Sequence, residues 1–466
     1  MTDSSVTTAV DGRLTAPRQR AAALADVIAD RLSDPDEVTA GTGIQMADGE
    51  IERGWWGPPS LGRGLAGIAL LFSSSEGRAL ENPGRGVETA HRHLRQASSF
   101  LNNMPYRSLG LFNDVSGLAF ALETARQSMG GYGKALSQLD REIAHRTTLL
   151  RDAIDPNSPA EIAQFDVISG LTGIGRYLLM RGDELADRPR DELTGVLATL
   201  VQMVLRTPAP GSSPSRDTQS GLWCKGGPSA ASLIPPDGAG HGHFNFGYAH
   251  GMTGPLALLS LAHEQGRTVK DLPEAVERLA ELLQTWVLRD EYGPYWPTHV
   301  SHQEWVSGRA YARHRGRASW CYGVPGVSRA LQLAGTSFRR TDWLSLADES
   351  VSGLLAAPLS DWGISDMGLC HGWAGTLHLL RFFQDGALDR RVRTVRDDLA
   401  ELITDSFDPD LTFGYSVPIN HSQTAAQTSV SLPGFLEGAA GIALALNSYA
   451  YDGTESPDWE AALLVA

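Results

Sequence analysis

Long apolar runs are missing from this chain. The most apolar stretch, Gly64 to Phe72, falls far short of the roughly 20 residues that a membrane-spanning helix needs, so insertion into a bilayer as a helix is not expected. Clustered Lys and Arg are missing as well. A formal net charge of −15 and no phosphate-binding basic patch argue against a nucleic-acid partner. Cysteine is scarce: three in 466 residues cannot form a disulfide framework. So sparse and odd a set points to a reducing, cytoplasmic location and to thiol or metal chemistry. The start, Met1 to Asp11, is Ser/Thr-rich and acidic. It lacks the basic-then-apolar order of a secretory signal and, with the residues up to about 16, reads as a disordered tail.

Glycine is abundant. Its fifty copies make up about 11% of the chain against an ordinary ~7%, and they recur in pairs three residues apart. The pairs are Gly64-Leu-Ala-Gly67, Gly170-Leu-Thr-Gly173, Gly251-Met-Thr-Gly254, Gly323-Val-Pro-Gly326, Gly372-Trp-Ala-Gly375 and Gly438-Ala-Ala-Gly441, with a degenerate copy taken to start at Gly117. Each motif opens an apolar stretch such as Pro255 to Ala262, which reads as a helix buried on all sides. Between motifs lie amphipathic stretches, for example Val276, Leu279, Leu283 and Trp286, whose spacing fits half-exposed helices. A buried and a half-exposed helix alternating seven times predict an all-α fold, an α/α toroid of about seven inner and seven outer helices, as one domain over residues 17–466. A linear helical solenoid ranks second, since its repeats are usually shorter and capped at both ends. Two long irregular loops are expected, near residues 207–243 and 292–319; long ordered loops often carry function.

Equivalent positions in a closed ring lie at the same end of the barrel. Counting from the first glycine of each motif, the residue before it is Arg63, Ser116, Ser169, His250, Tyr322, His371 or Glu437, and the position before that supplies Cys321 and Cys370. Register therefore brings Cys321, Cys370, His371 and His250 toward one point. Two cysteines and one histidine suit zinc and leave a fourth position open, as catalytic zinc sites do. Cys224 lies outside the register; if it joined the site, a third thiolate would close it and favour a structural role. His241 and His243, flanking Gly242, offer a second pair of donors with no third ligand.

The strings Asn245-Phe-Gly-Tyr-Ala-His-Gly-Met-Thr-Gly254, Arg317-Ala-Ser-Trp-Cys-Tyr-Gly-Val-Pro-Gly326 and Cys370-His-Gly-Trp-Ala-Gly375 together resemble the lanthionine synthetase C-like cyclases. The likeness runs from the first motif to the last, and that family's α/α toroid agrees with the fold expected from the repeats. It implies that Cys321, Cys370 and His371 bind one catalytic Zn²⁺. It also implies that His250, Asp166, Arg317, Trp320 and Tyr322 surround the substrate. At this length the chain resembles the free-standing cyclases that act after a separate dehydratase. The implied substrate is a dehydrated precursor peptide of leader plus core, with an export transporter as a further partner. The implied reaction adds a peptide cysteine thiol to dehydroalanine or dehydrobutyrine and so forms a thioether ring.

Within that reaction His250, titrating near neutrality, is the expected general acid for the α-carbon. Asp166 would orient it, and Arg317 would stabilise the enolate oxygen, unless Asp166 and Arg317 simply pair with each other. Trp320 and Tyr322 would line the peptide cleft, although aromatics beside an inner helix are as often core. Two alternatives stay open: a zinc-stabilised peptide-binding scaffold with Cys224 as fourth ligand, and a glutathione-associated member of the same family.

Overall fold

A computed structural model describes residues 14–42, 44–45, 51–52, 56–74, 83–105, 107–155, 157–185, 187–212, 220–225, 242–311, 315–384, 386, 388–420, 427–451 and 458–466. Most of the proposed N-terminal tail and His241 lie outside them, as does most of the loop near 207–243.

Seven helices follow the glycine motifs: Leu65–Ser73, Val115–Met129, Leu171–Arg181, Thr253–Glu264, Val324–Ser337, Trp373–Leu380 and Ala439–Ala450. Nearly every residue of Leu65–Ser73, Thr253–Glu264 and Ala439–Ala450 is buried, as expected of helices with no solvent face. Seven amphipathic helices alternate with them: Ala16–Arg31, Pro83–Asn103, Gly133–Asp152, Asp187–Arg206, Leu272–Thr285, Thr341–Ala356 and Asp389–Asp405. Each inner helix touches the next, and the seventh touches the first; Ala16–Arg31 packs against the seventh inner helix and so completes the outer layer. The expected α/α toroid is the fold.

Backbone hydrogen bonds close the inner ring one repeat at a time. Gly62 donates to Phe112 (3.2 Å), Phe112 to Ile168 (3.2 Å), Val167 to Ala249 (2.9 Å) and Tyr248 to Cys321 (2.8 Å). Cys321 then donates to Cys370 (3.1 Å), Cys370 to Leu436 (2.8 Å) and Leu436 back to Gly62 (2.9 Å). Buried amide groups must be paired, and this circular ladder pairs them while fixing the register between repeats. It also corrects one sequence assignment. Phe112 occupies the slot of Gly62 and Cys321, so the second motif begins at Asp114, with Gly117 as its second glycine and Asn113, not Ser116, as the residue before it.

The second glycine has a specific cause. A Cβ on Gly67, Gly173, Gly375 or Gly441 would lie 1.9–2.0 Å from the carbonyl oxygen of Leu61, Val167, Leu369 or Phe435, six residues back. The helix start folds onto its own preceding turn, and no side chain fits between them. Those turns carry a ring of side chains, Leu61, Leu111, Val167, Tyr248, Trp320, Leu369 and Phe435, each with no exposed surface; burial of each such group stabilises by about 1.5–3 kcal/mol.

The centre of the ring is filled by the segment Asp458–Ala466. Trp320 Nε1 donates to the Leu463 carbonyl (2.9 Å), the Tyr248 hydroxyl to Leu464 (2.6 Å), Arg329 to Val465 (2.6 Å) and Arg176 to Ala466 (2.8 Å). Glu460, fully buried, pairs with His378 and Arg381.

The stretch near 292–319, expected to be irregular, carries strands Gly293–Tyr295 and His299–Ser301 and helix His302–Ser307. His299–Ser301 pairs antiparallel with His243–Asn245, setting Asn245 opposite His299. That pairing anchors the turn leading to His250. No helix among the described residues is long and apolar enough to cross a membrane.

Candidate metal centre

The ladder makes Cys321 and Cys370 backbone neighbours, and the residue after Cys370 is His371. Their donor atoms all lie within 4.8 Å of one another, with Cys321 buried and Cys370 and His371 half-buried. Tetrahedral zinc at ~2.3 Å from sulfur sets its ligands roughly 3.8 Å apart, so the three donors need close by only about an ångström. The set fits zinc in chemistry as well as spacing.

The electrostatics favour a cation. Cys321 sits well below the usual thiol pKa because the Cys370 thiol donates to its sulfur, against burial, with further support from His371 and Ser319. Ser319 Oγ is 3.4 Å from that sulfur. Cys370 is held well above the usual value by the same hydrogen bond and by burial. Two sulfurs this close do not both ionise unless a positive charge joins them. His371 is raised overall: burial opposes its charge, but Cys321 and the Asp366 carboxylate more than offset that.

Beside the sulfurs stands a second histidine. His250 Nδ1 is 2.7 Å from Asp166 Oδ2, while Asp166 Oδ1 accepts from the amides of Ser169 and Gly170, both at 2.8 Å. Asp166 is buried and fully occupied, which removes the competing Asp166–Arg317 salt bridge. Burial disfavours the charged imidazole, but Asp166 and then Cys321 raise the His250 pKa above its ordinary 6.5. Tyr322 is half-buried with its ring centroid 6.5 Å from that of His250. Its hydroxyl accepts from Asn245 Nδ2 at 3.1 Å, and burial chiefly pushes its pKa up to about 12.

Arg317 is half-buried. It stands six residues before the first glycine of its motif, the place that Asn245 and Asp366 take in theirs. Trp320 is corrected: it has no exposed surface, and its indole N–H is given to Leu463, so it belongs to the core and not to a cleft. Cys224 is apart from the cluster. Fully buried, it bridges Ala160 and His243 through its backbone, lies 3.6 Å from the Leu222 carbonyl and has its thiol pKa raised chiefly by burial.

Sequence reasoning missed Asp366 and Asn245. Asp366 is buried, with Oδ2 3.5 Å from His371 Nε2. The signal was a polar residue at the same offset before two motifs, each lying against a residue that immediately precedes a glycine pair.

Three comparisons with known proteins agree. The sequence profile of lanthionine synthetase C-like proteins matches residues 55–464. The nisin biosynthesis protein NisC of Lactococcus lactis subsp. lactis is 23% identical over 418 residues, covering 88% of this chain and 90% of that protein. The solved structure of a nisin cyclase superposes with a TM-score of 0.70 at 21% identity, covering 88% of this chain and 92% of that one.

Proposed function

The chain belongs to the lanthionine synthetase C-like family, and on that premise we propose that it is a zinc-dependent lanthipeptide cyclase acting on a dehydrated precursor peptide. The reaction is the addition of a peptide cysteine thiol to dehydroalanine or dehydrobutyrine, giving a lanthionine or methyllanthionine ring. One observation carries the reading: two thiols and an imidazole from adjacent repeats converge beside an independent histidine–carboxylate pair.

Cys321, Cys370 and His371 would hold the zinc, and three protein ligands would leave a fourth position for substrate. Zinc bound there would lower the pKa of a thiol from its ordinary ~8.5, so that the thiol proton is lost to solvent. Two cysteine ligands neutralise the ion's charge, which preserves the nucleophilicity of the incoming sulfur. His250, half-exposed, delivers a proton to the α-carbon, and Asp166 fixes its ring by holding Nδ1. Arg317 brings a positive charge toward the enolate oxygen, and Tyr322 lines the approach. The substrate of such a reaction already carries dehydrated serine or threonine, and that earlier step is assigned to a separate dehydratase.

The scaffold alternative needs a fourth protein thiolate, and the buried Cys224 lies outside the group formed by Cys321, Cys370 and His371. Purified protein is therefore expected to carry one zinc per chain and to cyclise a dehydrated, cysteine-containing peptide, read as lost thiol alkylation without a change in mass. Cyclisation undiminished in Cys321→Ala or Cys370→Ala would sink the proposal.

A further inference from the structure

The two histidines of the site each meet a buried carboxylate, but through opposite ring nitrogens. Asp166 takes Nδ1 of His250, whereas Asp366 faces Nε2 of His371 at 3.5 Å. The first arrangement leaves Nε2 for chemistry and the second leaves Nδ1.

Asp366 is built into its place. Its Oδ1 accepts from the Gly368 amide at 2.9 Å, forming the same turn that Asn245 makes with Gly247 at 2.8 Å. Both residues stand six before the first glycine of a motif. A Cβ at Gly372 would lie 2.5 Å from Asp366 Oδ1, and one at Gly251 2.5 Å from Asn245 Oδ1. The first glycine of these two repeats thus leaves room for a polar side chain that approaches a site residue: Asn245 hydrogen-bonds Tyr322, and Asp366 faces His371.

We propose that Asp366 is a positioning residue that commits His371 to ligate the metal through Nδ1, by keeping the proton of its neutral ring on Nε2. The proposal rests on the zinc-site reading above. Histidine ligands commonly give their second N–H to a carboxylate, which fixes tautomer and ring orientation and strengthens the ligand. Here that carboxylate is anchored by the backbone and shielded from water, so its direction does not depend on the metal's presence.

The test is Asp366→Asn. Its amide oxygen can keep the Gly368 hydrogen bond while the NH₂ group turns to His371 Nε2, demanding the opposite tautomer with little change of shape. Zinc affinity is measured by competition with a chromophoric chelator, and the protonated ring nitrogen of His371 by ¹⁵N NMR of the zinc-loaded protein. The expected result is a fall in affinity of about 10- to 100-fold in Asp366→Asn and Asp366→Ala, with Nε2 protonated in the unaltered protein. Asp166→Asn, which acts on His250, is expected to bind zinc as the unaltered protein does. Unchanged affinity in both Asp366 variants, an equal loss in Asp166→Asn, or ligation through Nε2 overturns the positioning role alone. An unaltered protein that takes up no zinc overturns the site reading with it.

Discussion

The Oδ2 atom of Asp166 stands 2.7 Å from Nδ1 of His250, while the same carboxylate's other oxygen is held by two backbone amides. The carboxylate is therefore immobile, and the histidine it orients is the part of the pair that reaches solvent, with 41% of its side chain exposed against 3% for Asp166. An acid–base residue needs this division, in which a fixed partner sets the ring and an open face meets substrate.

Replacing His250 by Asn keeps a polar group of similar reach but removes the titrating proton. Zinc content is expected to stay at one per chain, while ring formation slows by about 10²- to 10⁴-fold, the usual contribution of a positioned general acid. Metal analysis beside a cyclisation assay checks both halves. Loss of zinc would instead make His250 a ligand.

The raised pKa of His250 gives a pH signature. Burial alone would lower it, and Asp166 reverses the sign, so the imidazolium persists above pH 6.5. In Asp166→Asn the opposing burial is left uncompensated, and the alkaline limb of kcat/KM is expected to move to lower pH. Stability follows the same linkage. Because the folded pKa is raised, the pair's contribution is fully present below pH 6.5 and fades as pH rises through the folded value. Asp166→Asn should therefore destabilise more at pH 6 than at pH 9, read from denaturant midpoints. A limb that stays where it was would remove His250 as the proton donor.

Much of this was legible from glycine spacing alone, since each pair marks the crowded start of an inner helix. The toroid, its alternating layers and the convergence of Cys321, Cys370 and His371 all follow from that register. The second repeat misled because Asp114 stands where other repeats have glycine. Starting the copy at Gly117 gave two equal spacings, from 64 to 117 and from 117 to 170, a regularity the backbone ladder does not share. Trp320 was ambiguous for another reason: what buries it is the segment Asp458–Ala466, more than a hundred residues away, and no local pattern announces that contact. Asp366 escaped notice because its role depends on a turn that lifts its carboxylate toward His371, which residue type alone does not specify.

Glycine's two roles can be separated by substitution. Gly375→Ala would drive a Cβ to 1.9 Å from the backbone carbonyl oxygen of Leu369, in the turn that carries Cys370. At least the ~1–3 kcal/mol typical of overpacking is expected, with a lowered thermal midpoint and weakened zinc binding. Gly133→Ala, at the start of an outer helix with nothing within 4 Å, should be neutral or stabilise slightly. Equal behaviour of the two variants would contradict the close approach seen at the ring.

Cys224→Ala separates an open site from a closed one. The Cys224 thiol is fully buried, 3.6 Å from the Leu222 carbonyl, and its pKa is raised by burial, which opposes the thiolate that zinc requires. Removing one buried sulfur leaves a small cavity, and a loss of about 1 kcal/mol is expected. Zinc stoichiometry, zinc affinity and cyclisation should all be retained, because Cys321, Cys370 and His371 are untouched. If Cys224→Ala instead lost zinc together with activity, Cys224 would have to leave the Leu222 carbonyl and close the site as a fourth ligand. The vacant position on which thiol activation depends would then not exist, and the chain would be better described as a zinc-stabilised scaffold than as a cyclase.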